Sequence, residues 1–383
     1  MTDPRAPLHG RIAAQILREG PIRFSTFVDL ALYDPTAGFY SVGGQAGRRG
    51  DFIASPEVGL LFGAVIARAL DTWWDELGRP DPFVVIEAAA GVGTLARTVL
   101  EGAPRCLGAL TYVLVEQSAS MRSRHGDHLP MTEPALAIAP QLLDADDIAE
   151  LTEESRGSGP RFVSLAELPA VEVTGIVLAN ELLDNLPFDL VERTTDGWDE
   201  VRVGVDPTSG DQSEPEVEPG LQVECGLQVE PGLPVESGSG AEVVFTEVLV
   251  PLADDDPRLD HLATWAPETP VGHRVPIQRA AGEWVARALA CLDEGRLVVV
   301  DYGDRTASLA ARPWHEWVRT YRGQDRGIHP LDAPGMQDIT VEVATDQLDL
   351  VRRPDEQIDQ ASFLREHGID DLVAEGRRIW DER

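Results

Sequence analysis

Fourteen residues, Phe83 to Ala96, constrain this chain more than any other stretch: F-V-V-I-E-A-A-A-G-V-G-T-L-A. Phe83 to Ile86 are apolar and mostly β-branched, the pattern of a strand buried on both faces of a parallel sheet. Glu87 follows at the carboxyl end of that strand. Gly91 and Gly93 then make a tight turn, and Thr94 opens a helix. Glycine lets the turn bend sharply and lets a ligand approach the backbone. The helix N-terminus adds free N–H groups and a partial positive charge. A strand, turn and helix in this order predict an open α/β sheet with its ligand crevice at the carboxyl ends of the strands.

Two ligand classes fit that crevice. Gly91-x-Gly93-x-x-Ala96 satisfies the loose dinucleotide fingerprint, and Glu116 ends the next expected strand, Thr111 to Val115. An acid there can accept both ribose hydroxyls of a nucleoside, whether of NAD or of S-adenosylmethionine. Glu87, four residues before Gly91, tips the balance. The Glu-x-x-x-Gly-x-Gly spacing favours adenosylmethionine, because a carboxylate at the strand lip can meet the ligand's cationic amino end.

Composition excludes several chemistries. All 32 basic residues are arginine. Without lysine there is no Walker-A phosphate site, no pyridoxal Schiff base and no lysine nucleophile. A net charge of −34 argues against nucleic acid as a partner and suits a cationic substrate or basic protein. Cys106, Cys225 and Cys291 lie far apart, and the eight histidines form no His-x-x-x-His pair, so neither a disulfide framework nor a metal site is expected. No apolar run nears the roughly 18–20 residues that span a bilayer. The amino terminus lacks the basic start and apolar core of a signal peptide. A cytoplasmic protein is the expectation.

In chain order, Leu8, Ile12, Ile16 and Leu17 make a short amphipathic helix ended by Gly20-Pro21, and Ser25 is expected to cap a second helix through Leu32. Tyr33 to Tyr40, Y-D-P-T-A-G-F-Y, is a turn with aromatic flanks. Gly43 to Gly50 reads as a loop, a candidate lid carrying Arg48 and Arg49. Ser55, Pro56 and Glu57 then start a helix whose apolar face runs from Val58 to Leu77. Val173 to Ala179 is a further buried strand ending in Asn180-Glu181-Leu182-Leu183-Asp184. If that end turns helical, Glu181 and Asp184 share a face. A hairpin is expected from Phe188–Arg193 and Trp198–Val205, turning at Asp196-Gly197. Four acidic copies of a six-residue unit then run from Val217 to Gly240, too polar and too short to bury a core. Beyond them come a strand from Glu242 to Val250, a helix over 280–294, a buried strand Leu297–Val300 ending in Asp301-Tyr302-Gly303, and two short helices around Gly368.

Taken together, Y-D-P-T-A-G-F-Y, G-D-F-I-A-S-P-E with Phe62-Gly63, E-A-A-A-G-V-G-T-L, Y-V-L-V-E-Q-S with Met121-Arg122, A-N-E-L-L-D-N-L-P, V-D-Y-G, P-G-M-Q-D-I-T and F-L-R-E-H-G-I resemble, in the same order, the MidA family of adenosylmethionine-dependent methyltransferases. Mitochondrial members of that family assist respiratory complex I assembly by methylating a protein arginine. The resemblance implies an α/β fold, a class I methyltransferase (Rossmann-like) sheet with an N-terminal helical region and inserted elements. The corresponding division is 1–80, 81–205, a low-complexity insertion at 206–241, and 242–383. It implies S-adenosylmethionine as cofactor, held by Glu87, Gly91, Gly93 and Thr94, by Glu116 at the ribose, and by Asp51 and Ser55. Asn180, Glu181 and Asp184 would line the methyl-transfer pocket with Asp301 and Tyr302. An arginine nucleophile must shed a proton, and Glu181 and Asp184 are the candidates to orient the guanidinium and accept it. The implied partner is a protein substrate, a basic one fitting the charge. Two departures stand out: Ala89 replaces the first glycine of the family's E-x-G-x-G-x-G, and Gln324 stands where the family has histidine. A non-catalytic assembly or binding protein with this fold, and an NAD-dependent oxidoreductase, are the alternatives.

Overall fold

The apolar run at Phe83 becomes a strand because both of its faces are covered. The computed structural model describes residues 6–42, 60–134, 159–206, 243–323 and 325–381. In chain order these form helix α1 (Ala6–Glu19), strand β1 (Ile22–Arg23), helices α2 (Phe24–Tyr33) and α3 (Leu60–Glu76), strand β2 (Phe83–Ala88) and helix α4 (Thr94–Glu101). Strands β3 (Leu110–Val115), β4 (Arg161–Leu165), β5 (Val173–Asn180), β6 (Asp189–Arg193), β7 (Trp198–Asp206), β8 (Val244–Pro251), β9 (Arg274–Ile277) and β10 (Leu292–Val300) follow.

Five strands make a parallel sheet in the order β10-β5-β2-β3-β4. The two-residue period of a strand sends alternate side chains to opposite faces. Phe83 and Val85 pack with Ile66, Leu70 and Trp73 of α3 and Leu95 of α4. Val84, Ile86 and Ala88 pack instead with Trp284, Val285 and Ala288 of the helix Arg279–Leu289. Helix α3 lies so close to α4 that a Cβ on Gly63 would stand 2.1 Å from the Thr98 hydroxyl, so only glycine fits there. The chain winds outward from β2 to β4, then crosses back to lay β5 on the other edge of β2. That reversal opens a crevice beyond the carboxyl ends of β2, β3 and β5.

A second, antiparallel sheet holds β8, β7, β6 and β9, with β1 also paired to β7. Helices α1 and α2 cover it through Leu8, Ile12, Phe24, Phe27 and Val28, against Leu190, Val201, Val203 and Phe245. The hairpin expected at Asp196-Gly197 forms between β6 and β7.

Four local expectations are corrected. Leu17 is 68% exposed and takes no part in the apolar face of α1. Ser25 does not cap α2 with its side chain; Asp189, at the start of β6, accepts the Ser25 N–H at 3.1 Å and satisfies that end from across the sheet. The helix expected over 280–294 stops at Leu289, and the residues from Leu292 are recruited by pairing with β5. The strand expected to be buried at Leu297–Val300 is half-buried, because β10 is the edge of the parallel sheet. The two helices around Gly368 form as Gln360–Glu366 and Ile369–Asp381. The loop with Arg48 and Arg49, the stretch from Asp51 through Ser55 to Glu57, the repeat from Val217 to Gly240 with Cys225, and Gln324 lie outside the described residues. Among the described residues, no helix is long and apolar enough to cross a membrane.

The repeat has a simple topological position. Strands β7 and β8 pair antiparallel from Asp199↔Pro251 to Asp206↔Val244. The two ends of the insertion are therefore neighbours in one ladder, roughly 5 Å apart at Cα, and the entropy of closing such a loop rises only slowly with length. Replacing 210–240 with a short Gly/Ser linker is expected to leave the thermal midpoint within about 2 °C of the parent. A fall of 10 °C in a melting curve would mean that the repeat packs on the fold.

Candidate active site

A cleft of about 670 Å³ opens at the reversal point, within the usual size of small-molecule sites. Glu87, Gly91, Thr94, Glu116, Asn180 and Glu181 all line it. The carboxyl ends of β2, β3 and β5 thus bring together the residues singled out on three separate stretches of sequence. Gly93, the N-cap of α4, is not among the lining residues; nor is the buried Asp184, nor are Asp301 and Tyr302, although all three were expected to line the methyl-transfer pocket. Asp51 and Ser55 fall outside the described residues.

Glu116 anchors the glycine turn. Its carboxylate accepts the Gly91 N–H at 2.9 Å and the Ser118 N–H at 2.7 Å. Burial raises its pKa, and these donors pull the other way. Gly91 sits at φ +57, a left-handed conformation that glycine adopts without strain. On its other side the Gly91 carbonyl meets His125 Nε2 at 2.9 Å. His125 came from no sequence motif; its only local signal is a histidine three residues after Met121-Arg122.

Glu87 has a different setting from the one its sequence position suggests. It is the fifth residue of β2 and points, like Phe83 and Val85, toward α4. The Tyr112 hydroxyl donates to it at 2.8 Å, and the Ala96 N–H in the first turn of α4 also bonds it. Burial pushes its pKa up to about 8, with the like charge of Glu116 adding to the effect. Glu87 is therefore a mostly protonated acid that holds the start of α4 while lining the cleft.

Acids gather at the opposite wall. Asn180 ends β5, and its side-chain oxygen is buried with no hydrogen-bond partner. Glu181 is held at φ +50 by its N–H bond to Val300. The helical face expected for Glu181 and Asp184 does not form: only a single 3-10 turn follows, Leu183–Asn185. What brings the acids together is Asp301, at the end of β10. It accepts the Leu183 and Asp184 N–H groups at 2.8 and 3.3 Å and the Tyr302 N–H at 2.8 Å. Burial pushes Asp301 up to about 7. Burial and the neighbouring Asp301, Asp338 and Glu181 push Asp184 well above the usual carboxylate range, and its Oδ1 has no hydrogen-bond partner. The Tyr302 hydroxyl donates to Glu181 at 3.4 Å.

The N-terminal turn supplies a roof. Tyr33 and Tyr40 stack at 5.6 Å and both line the cleft. The Tyr33 hydroxyl donates to the Asn185 carbonyl at 3.1 Å, and Tyr40 to Asp338 at 2.9 Å. The aromatic flanks of Y-D-P-T-A-G-F-Y were visible in sequence, but their contacts, at residues 150 or more positions away, were not.

The chain has known relatives. A family model described as "Putative S-adenosyl-L-methionine-dependent methyltransferase" matches residues 65–363. The mitochondrial protein arginine methyltransferase NDUFAF7 homolog of Drosophila melanogaster is 32% identical over 218 residues, covering 53% of this chain and 47% of that protein. The chain thus spans about half the length of that curated relative. The Danio rerio mitochondrial protein arginine methyltransferase NDUFAF7 is 26% identical over 384 residues, covering 94% of this chain and 76% of the other. A Burkholderia thailandensis crystal structure bound to S-adenosyl-homocysteine superposes with a TM-score of 0.73 at 24% identity, over 97% of this chain and 83% of that one. This likeness establishes the class I methyltransferase fold.

The setting of Glu87 has a pH signature. Its pKa rises from an ordinary 4.5 to about 8 on folding, so between those values the folded chain binds more protons than the unfolded chain. Stability then falls as pH rises through that window. Glu87→Gln removes the titration, so the stability of the variant relative to wild type is expected to grow between pH 6 and pH 8.5 by about 1–3 kcal/mol. Urea unfolding of the ligand-free proteins at the two pH values checks this. A difference that does not change with pH would mean that Glu87 is ionised in the folded protein.

Proposed function

This chain belongs to the family of that S-adenosyl-L-methionine-dependent methyltransferase model, and from that premise we propose that it methylates an arginine side chain of a protein. The single observation that carries the arginine reading is the pair Asp184 and Asp301. Asp184 is buried and Asp301 half-buried, like charges surround both, and no basic side chain among the described residues pairs with either. A buried carboxylate without a cation is costly, and a planar guanidinium is the side chain that relieves it best, with several donors in a fixed fork. The names of the Drosophila and zebrafish relatives point the same way.

The residues present also fit the cofactor. Glu116 accepts backbone N–H bonds from Gly91, Ser118 and Gln117, and its carboxylate oxygens are the acceptors a ribose diol would use. Glu87 can give up its proton to face an ammonium. Thr94 and the turn from Gly91 offer backbone donors at the start of α4. Bound S-adenosylmethionine supplies a methyl group activated by its sulfonium. The chain's part is to hold the nucleophile in line and keep water out.

The proton is the harder problem. Arginine has a pKa near 13, so stripping it at pH 7 before transfer would cost about 8 kcal/mol. Glu181, Asp184 and Asn180 would orient the guanidinium through its N–H groups. During transfer the guanidinium nitrogen would become acidic, and Glu181 or Asp184 would accept its proton. Tyr302 holds Glu181 toward the cleft. The net charge of −34 would draw a basic protein segment to the mouth.

Calorimetry with S-adenosylmethionine and with NAD tests the class: binding of the first and not the second is expected, and the reverse overturns it. Partner proteins recovered by pull-down, scanned for methylarginine by mass spectrometry, test the substrate. Within that assay two variants are expected to fail differently. Glu116→Ala removes hydrogen bonds to a charged group, worth about 1.5–3 kcal/mol each. It should therefore weaken cofactor binding at least about tenfold. Glu181→Gln should lower kcat and kcat/KM together while the cofactor affinity stays put. Full turnover by Glu181→Gln would move the proton acceptor to Asp184 or Asp301.

A further inference from the structure

Gly91 is held through both of the peptides that flank it. Its N–H goes to Glu116 at 2.9 Å, and its carbonyl meets His125 Nε2 at 2.9 Å. A carbonyl oxygen can only accept, so Nε2 carries the imidazole proton. Nδ1 is then an acceptor, and it lies 2.9 Å from the Ser164 hydroxyl on β4. The ring is 1% exposed, and burial lowers its pKa, which keeps the neutral tautomer that this arrangement needs. The same ring closes off the space beside Gly93, where an added Cβ would stand 3.5 Å from its Cδ2.

The direction of that carbonyl decides what the cleft receives. Across a trans peptide, C=O and N–H point in opposite directions. With the Gly91 carbonyl drawn inward to His125, the Val92 N–H on the same peptide is turned the other way, and Val92 lines the cleft. The turn around it is made of residues at positive φ, Ala89 at 55°, Gly91 at 57° and Gly93 at 83°. A glycine there can exchange left- and right-handed conformations at little cost, so an unheld Gly91 peptide could flip its carbonyl into the cleft.

We propose that His125, with Ser164 behind it, is a positioning residue of the cofactor site: it locks the Gly91–Val92 peptide so that the cleft meets an N–H donor rather than a carbonyl oxygen. The inference rests on the reading of the cleft as an adenosylmethionine site. His125 touches no ligand in this scheme; it acts through the peptide. A carbonyl turned outward would repel the ligand's carboxylate or ribose oxygens, while the Gly91 N–H, on the preceding peptide, would stay with Glu116.

Two measurements on the full chain decide it. In calorimetry with S-adenosylmethionine, His125→Leu is expected to raise Kd about tenfold. His125→Gln, whose amide N–H reaches about as far as Nε2, is expected to stay within about threefold of wild type. Rescue by glutamine separates the hydrogen bond from mere filling of space. Wild-type affinity in His125→Leu overturns the proposal, as does an equal loss in both variants. The second measurement needs no substitution. The imidazole ¹⁵N shifts of His125 in the wild-type protein are expected to report a proton on Nε2 and an acceptor at Nδ1. A proton on Nδ1 overturns the proposal even if His125→Leu does not fold, because that tautomer cannot donate to Gly91. If the wild type binds no adenosylmethionine while the shifts are as expected, the cofactor reading has failed and takes this role with it.

Discussion

Carboxylates buried without cations are the constraint around which this molecule is built. Glu87, Glu116, Asp184 and Asp301 are each largely removed from water. Isolated ionised carboxylates in such places would cost far more than a domain's net stability. The fold meets part of that cost with hydrogen bonds. Backbone N–H groups are aimed at the acids, from Gly91 and Ser118 at Glu116 and from Leu183, Asp184 and Tyr302 at Asp301. What those donors do not offset shows as an upward pKa shift at each of the four groups, with burial as its largest cause. Arginines are plentiful elsewhere, and several tie the second sheet together through Glu200, Glu192 and Glu247. Among the described residues, Asp184 and Asp301 have no such arginine partner.

Topology is what concentrates those acids. A carboxyl-end residue on any one parallel strand would be an ordinary surface acid. Because β5 returns to the far side of β2, the ends of β2, β3, β5 and β10 face a common space. The second sheet and helices α1 and α2 then act as a bracket: Tyr33 grips Asn185, Tyr40 grips Asp338, and Asp189 caps α2. The loop from Asn180 to Asp189 is thus held at Asn185 and at Asp189 by groups far away in sequence. This explains why it stays a loop although its composition would suit a helix.

How legible each part was in the sequence follows from how local its cause is. The strand, turn and helix from Phe83 to Ala96 formed as read, because apolar run, glycines and helix start act within a few residues of one another. Glu116 was located by spacing alone. The Ser25 cap was misread because the acceptor that matters, on Asp189, is 164 residues away. Residues Leu292 to Glu294 looked helical because the pull of β5 on them is a tertiary effect. Glu87 was seen as a ligand-facing acid, yet the alternation along β2 turns it toward α4, a register consequence invisible until the sheet order is known. Neither His125 nor Ser164 belongs to a motif, since a single hydrogen bond to a backbone carbonyl leaves no pattern in side-chain types. The family resemblance reached the site residues that carry motifs and missed those that hold the motifs in shape.

Backbone strain marks the same cleft independently. Among the described residues, five non-glycine residues have positive φ: Arg79, Ala89, Ala103, Glu181 and Ala333. Arg79 and Ala103 lie just beyond the ends of α3 and α4, where a left-handed residue is an ordinary way to stop a helix. Ala89 and Glu181 are different. Each directly follows a strand of the parallel sheet, and both line the cleft. A left-handed conformation costs a residue with a Cβ about 1–2 kcal/mol, and such costs persist only where surrounding bonds over-determine the geometry. At Glu181 the bond to Val300 does so; beyond Ala89 the clamp on Gly91 does. Relaxing either would swing a strand end away from the crevice, taking the glycine turn from one wall or the Glu181 carboxylate from the other. Alanine at position 89 therefore marks how rigidly the turn is held: the surrounding bonds impose a conformation that the residue itself disfavours.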